Sequence, residues 1–236
     1  MNRLERVIVA LDVENGDRAI EIVKECKPEI SYFKVGKQLF TAEGPALIKR
    51  LKDENVRVFL DLKYHDIPNT VANAVIEAAK LGVDMVNIHL SGGGKMVKTT
   101  VERLNEFYQI NNFKPLLIGV TVLTSLGDED LKEIGFVHST KEMVKRLAIL
   151  GKNNGADGVV CSPHEIEIVK NTCGKDFITV TPGIRPNFAL TKDDQKRIMT
   201  PGMAFERGTD YIVIGRPITR AESIKEAVEK LADKLR

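Results

Sequence analysis

Cysteine is scarce in this chain and never closely paired. Cys26, Cys161 and Cys173 are scattered and odd in number, with no Cys-x-x-Cys motif. That spacing excludes a disulfide framework and a zinc ribbon, and it suits a reducing compartment. No apolar run approaches the roughly 20 residues of a membrane-spanning helix. Met1 to Arg6 leads directly into a short apolar run without a signal-type hydrophobic region. A cytoplasmic protein with no membrane partner is therefore expected. Charge of one sign is not in excess: 35 basic residues face 33 acidic ones, for a net charge of +2. With no basic stripe, no nucleic-acid partner is expected. Gly92-Gly93-Gly94 lacks the GxGxxG spacing of a dinucleotide fingerprint and reads instead as a tight turn. His65, His89, His138 and His164 share no short spacing, and lysines interrupt the carboxylates that could ligate a cation. No metal is expected. No Pro/Ser linker, low-complexity tract or composition shift divides the chain, so 1–236 reads as a single domain.

What the chain does have is alternation. Val7 to Asp12 is a near-continuous apolar run ending in a carboxylate, as in strands covered on both faces. Helical spacing follows from Asp17 to Lys24. Further strands read at Tyr32–Gly36, from Phe59, and at Met85–Leu90, Pro115–Leu123, Gly158–Ser162, Phe177–Gly183 and Tyr211–Gly215. Helices read at 45–51, 71–80, around Val97 to Leu104, at 140–153 and at 221–235, with a short acidic turn near 128–134. Gly82 suits a left-handed helix cap and Pro163 a first helical position. About eight strand–helix repeats at this length predict an α/β fold, a (β/α)₈ TIM barrel. A doubly wound open sheet is the alternative.

In such a barrel the carboxyl ends of all strands converge on one mouth. The polar residues expected there are Asp12, Lys34, Asp61, Lys63, His89, Thr124, Ser162, Thr181 and Arg216. Asp12, Lys34, Asp61 and Lys63 come from three consecutive strands and alternate in sign. Asp61 and Lys63 are two apart, which on a strand puts both on one face. Asp66 adds a carboxylate just beyond. Lys63 between carboxylates is expected to stay charged, which suits a proton donor and not a Schiff-base nucleophile. His89 reads as a hydrogen-bonded inner-layer side chain, and His65 as structural.

The opposite side of the mouth reads as a phosphate site. Gly215 and Arg216 end strand eight, where barrels often bind phosphate, and Arg216 offers a planar fork of donors. Arg185 and Gln195 lie in a longer stretch after strand seven, 184–197, which reads as a lid. These features leave several chemistries open: proton donation to a phosphorylated substrate, a Schiff-base aldolase reaction, or simple recognition of a phosphorylated ligand.

The stretch Asp61-Leu62-Lys63-Tyr64-His65-Asp66-Ile67-Pro68-Asn69-Thr70 resembles the signature of the orotidine 5′-phosphate decarboxylase family. Ala10-Leu11-Asp12, Phe33-Lys34-Val35-Gly36, Val120 to Ser125, Val180 to Arg185 and Ile214 to Ile218 are similar to family segments in family order. The DxKxxD core is shared with a sister decarboxylase acting on 3-keto-gulonate 6-phosphate; Ile67-Pro68-Asn69-Thr70 is the discriminating part. The resemblance implies a homodimeric barrel with active sites shared across the interface and no cofactor. Its reaction would convert orotidine 5′-phosphate to UMP in pyrimidine biosynthesis. It further implies that Asp12 and Lys34 contact the ribose, that Asp61 sits beside the substrate carboxylate, and that Lys63 protonates C6. Asp66, with Ile67 and Thr70, would reach the neighbouring subunit's site. Thr124 and Pro182 would border the substrate, and Arg185, Gln195, Gly215 and Arg216 would hold its phosphate.

Overall fold

The computed structural model describes residues 2–27, 29–186, 188 and 199–235. In chain order, β1 (Val7–Ala10) leads to α1 (Gly16–Cys26), and β2 (Tyr32–Gly36) leads to α2 (Lys37–Glu43) and α3 (Pro45–Asp53). β3 (Arg57–Tyr64) precedes α4 (Pro68–Lys80), and β4 (Met85–His89) precedes α5 (Gly94–Asn111). β5 (Leu116–Val120) is followed by α6 (Asp128–Glu133) and α7 (Thr140–Asn153), and β6 (Gly158–Val160) by α8 (Ile166–Cys173). β7 (Ile178–Thr181), α9 (Pro201–Glu206), β8 (Tyr211–Ile214), α10 (Arg216–Thr219) and α11 (Ile224–Leu235) complete the chain.

The strands pair in sequence order, and β1 pairs with β8 through Val7↔Ile212, Ile8↔Val213 and Val9↔Ile214, which closes the barrel. An open doubly wound sheet has no such pairing, so the (β/α)₈ expectation holds. Strand alternation then divides the apolar residues into two layers. Ile8, Ala10, Tyr32, Phe59, Met85, Ile118, Val180 and Val213 fill the barrel. A larger set, including Val9, Phe33, Leu60, Val86, Val159 and Ile212, packs outward against the helices. The inner and outer sets are one residue apart along each strand.

Boundaries differ from the sequence reading where side chains override periodicity. Asn15 caps α1 by accepting from Arg18 N–H, so the helix starts at Gly16. Pro163 does not open a helix: it lies in a turn in which Glu165 accepts the Ser162 N–H at 2.7 Å, and α8 begins at Ile166. Ser223 accepts from Glu226 N–H and delays α11 to Ile224. The short helices α2, α9 and α10 have too few turns to show a period in sequence.

The floor of the barrel holds a repeat that the sequence reading passed over. Asp84, Asp157 and Asp210 stand immediately before β4, β6 and β8. Each accepts a backbone N–H from the preceding strand: Val58 at 2.8 Å, Leu117 at 2.7 Å and Thr179 at 2.7 Å. Two residues before each stands a glycine of positive φ: Gly82 (76°), Gly155 (88°) and Gly208 (91°). The left-handed turn, open to glycine at little cost, returns the chain from its helix to the sheet. The aspartate then satisfies a ladder donor that has no strand partner.

Candidate active site

The upper end of the barrel interior changes from apolar to charged in a single step. Lys34 follows Tyr32 by two, Asp61 follows Phe59 by two, and Asn87 follows Met85 by two, so all three point inward above the apolar filling. Lys34 and Asp61 are each only 8% exposed and Asn87 is fully buried. Buried charges of this kind persist only when paired, and these are. Lys34 Nζ lies 3.0 Å from Asp12 Oδ1 and 3.3 Å from Asp61 Oδ2. Lys63 Nζ lies 2.6 Å from Asp61 Oδ1. The order Asp12–Lys34–Asp61–Lys63 is a continuous chain of alternating charge. Gly36 makes room for it: a Cβ there would stand 3.1 Å from Lys34 Nζ and 3.2 Å from Asp12 Oδ1.

Asp61 and Lys63 share a direction for a reason other than simple alternation. The β3–β4 register runs Leu60↔Val86 and next Tyr64↔Ile88, four residues on β3 against two on β4. The strand bulges between them, and Lys63 takes φ 52°. A lysine in the left-handed region costs on the order of 1–3 kcal/mol and needs surrounding structure to hold it. Asn87 supplies part of that structure: its Oδ1 accepts the Lys63 N–H at 2.8 Å and its Nδ2 donates to Asp61 Oδ1 at 2.6 Å. Asn87 is missing from the sequence-based candidates because those were taken from strand ends. The signal was present, as an amide in the middle of Met85-Val86-Asn87-Ile88 requires buried partners.

A cleft of about 560 Å³ opens over the array. Asp12, Lys34, Asp61 and Lys63 line one side, and Pro182, Arg185, Gly215 and Arg216 line the other. A smaller recess of about 190 Å³ shares Lys34, Asp61, Lys63 and Pro182 with it. Its remaining wall is mainly apolar (Val120, Val122, Val160, Val180), with the exposed Thr124 also lining it. The combined space therefore has a charged strip, an apolar recess and a basic far end. Among the described residues no group of three or more His, Cys, Asp or Glu side chains is arranged to hold a metal ion.

Other expected residues fall elsewhere. Asp66, Ile67 and Thr70 are exposed at the start of α4, and Asp66 Oδ1 accepts the Ile67 N–H at 2.6 Å. None of the three lines the cleft. Thr181 is a correction: it faces outward, fully buried, and its hydroxyl meets that of Thr209 at 2.7 Å. His89 is a second correction, since its contact is a ring rather than a hydrogen bond. The His65 and His89 centroids are 5.3 Å apart. Burial, then His65 and nearby lysines, push the His89 imidazole down to about 4. Gln195, and most of the expected lid at 184–197, lie outside the described residues.

Known proteins resemble this chain over nearly its whole length. Residues 5–231 match the orotidine 5′-phosphate decarboxylase / HUMPS family. A relative from Syntrophotalea carbinolica named orotidine 5′-phosphate decarboxylase is 48% identical, over 98% of this chain and 95% of its own. One of the same name from Haemophilus influenzae is 50% identical, over 96% of each chain. The crystal structure of orotidine 5′-phosphate decarboxylase from Lactobacillus acidophilus superposes with a TM-score of 0.86 at 39% identity, covering 98% of this chain and 99% of that one. A full-length family match, close relatives and a shared barrel lead to one conclusion: the chain belongs to the orotidine 5′-phosphate decarboxylase / HUMPS family.

Proposed function

We propose that this protein decarboxylates orotidine 5′-phosphate to UMP, in pyrimidine biosynthesis, without a metal or an organic cofactor. The observation that carries this reading is the Asp12–Lys34–Asp61–Lys63 array at the edge of the 560 Å³ cleft. The C6–carboxylate bond breaks, CO₂ leaves, and its electron pair stays on C6. That carbanion has no obvious resonance sink in the ring. Stabilisation then has to come from charge fixed in place before the reaction, which costs no reorganisation as charge develops. The Lys63 ammonium is such a charge, and it donates the proton that completes UMP. Asp61 facing the substrate carboxylate adds repulsion in the ground state that is relieved as CO₂ departs, a secondary contribution.

Asp12 and Lys34 hold the ribose, while Thr124, Pro182 and the apolar recess take the pyrimidine. Arg185, Gln195, Gly215 and Arg216 hold the phosphate. That group is remote from C6, and its binding energy serves to draw the base into the charged pocket. Asp66, Ile67 and Thr70 complete the site of a partner in a homodimer, consistent with their exposure away from their own cleft. A cytoplasmic location fits buried, unpaired thiols at Cys26, Cys161 and Cys173.

The test is the ultraviolet absorbance of orotidine 5′-phosphate mixed with purified protein, with and without a chelator. Equal loss of substrate absorbance in both is expected. No loss would overturn the reaction, and loss abolished by the chelator would overturn its metal independence.

A further inference from the structure

Asn87 touches no part of the cleft, yet both ends of its amide engage the charged array. Its Nδ2 donates to Asp61 Oδ1 at 2.6 Å, the same oxygen that receives Lys63 Nζ at 2.6 Å. The other Asp61 oxygen is left to Lys34, at 3.3 Å. Its Oδ1 accepts the Lys63 N–H at 2.8 Å, at the left-handed residue of the β3 bulge. A bulge strands backbone groups that a regular ladder would pair. Here a side chain from the neighbouring strand stands in for the missing ladder partner. Asn87 is fully buried, so neither end of the amide can turn to solvent instead.

We infer that Asn87 is a positioning residue: it sets the Asp61 carboxylate and the Lys63 backbone together, and so aims the Lys63 ammonium into the cleft. This rests on the proposed role of Lys63 as proton donor. Few other side chains can do both jobs. Aspartate keeps the acceptor for Lys63 N–H but sets a second carboxylate against Asp61. Alanine provides neither contact. Leucine keeps the branched shape but gives Lys63 N–H no acceptor and Asp61 no donor. Misplacing a reacting group by about 1 Å costs about 100-fold in rate, whereas binding of the phosphate and ribose draws on other residues.

The experiment compares wild type, Asn87→Ala and Asn87→Asp, with thermal melting to establish folding. Asn87→Ala is expected to lower kcat by about 100-fold while KM and the affinity for the product UMP change by less than about threefold. Asn87→Asp preserves the volume should the alanine variant not fold. Its introduced carboxyl would be faced by Asp61 and Lys63 from β3, Lys34 from β2, Asp12 beyond β1 and His89 on its own strand. Two carboxylates sharing a site raise the pKa of one of them. A protonated carboxyl can donate to Asp61 again, so kcat should recover towards acid pH through a protonic step that wild type lacks. Folded variants with near wild-type kcat would overturn the role. So would a loss confined to stability, or an Asn87→Asp profile parallel to wild type. An inactive wild type would sink the reaction itself and this role with it; an active wild type with active variants would sink the role alone.

Discussion

Asp61 and Lys63 are two residues apart, and their side chains meet at 2.6 Å across a bulge that turns Lys63 to φ 52°. A flat strand would also put both on one face, but it would not pin the Lys63 backbone N–H to a buried amide on the next strand. The Asp61–Lys63 pair thus rests on a local distortion held by its neighbours.

Arg216 opens α10 at the basic end of the cleft, opposite the array. If it grips phosphate, Arg216→Ala loses a charge-assisted contact. KM is then expected to rise by roughly 10- to 100-fold, the equivalent of such a bond. Steady-state kinetics decides it, and unchanged KM and kcat/KM would count against a phosphate role.

Asp66 is exposed and binds only its own neighbour's N–H, Ile67, among the hydrogen bonds of the described residues. If it serves the partner's site, mixing inactive Asp66→Ala and Lys63→Ala proteins should restore activity, because heterodimers carry one intact site. Random exchange of a two-fold dimer returns about a quarter of wild-type sites. Absence of recovery, with exchange verified by mass, would mean that each site is built within one chain.

His89 makes stability depend on pH. Burial lowers its pKa from 6.5 to about 4. Between those values the unfolded chain binds a proton that the folded chain refuses, so stability falls as pH drops through this window. His89→Gln removes the group and should flatten the melting temperature between about pH 6.5 and 4. A slope equal to wild type would show that His89 is not its source.

Asp210 tests the floor of the barrel. Its Oδ2 receives Thr179 N–H at 2.7 Å and the Lys170 ammonium at 2.6 Å, and Lys170 is largely buried, its side chain 11% exposed. Asp210→Ala takes the acceptor from Thr179 N–H and leaves the Lys170 ammonium with only the Lys175 and Phe177 carbonyls, and should cost about 2–4 kcal/mol in denaturant unfolding. Turnover per folded molecule should stay within about twofold, since the chemistry lies at the opposite face. A large fall in kcat with little loss of stability would reverse that assignment.

The barrel was legible because apolar strands covered on both faces read as continuous runs, and eight of them alternate with helical periods. The charged side of the mouth was legible for a related reason: Asp12, Lys34, Asp61 and Lys63 interrupt those runs at their carboxyl ends. Asn87 was not, because a single amide in the middle of an apolar strand shows no period. Thr181 misled for the opposite reason, since being at a strand end does not say which face a residue takes. The aspartates at 84, 157 and 210 escaped notice because their partners lie on the preceding strand, 26 to 40 residues earlier. No local pattern records such a pairing.

The most direct test is kcat for Lys63→Ala on orotidine 5′-phosphate, measured alongside binding of UMP as a check that the cleft is intact. Loss of both the fixed positive charge and the proton donor should lower kcat by about a thousandfold or more, with UMP still bound. Near-normal turnover in a folded Lys63→Ala protein would contradict the account.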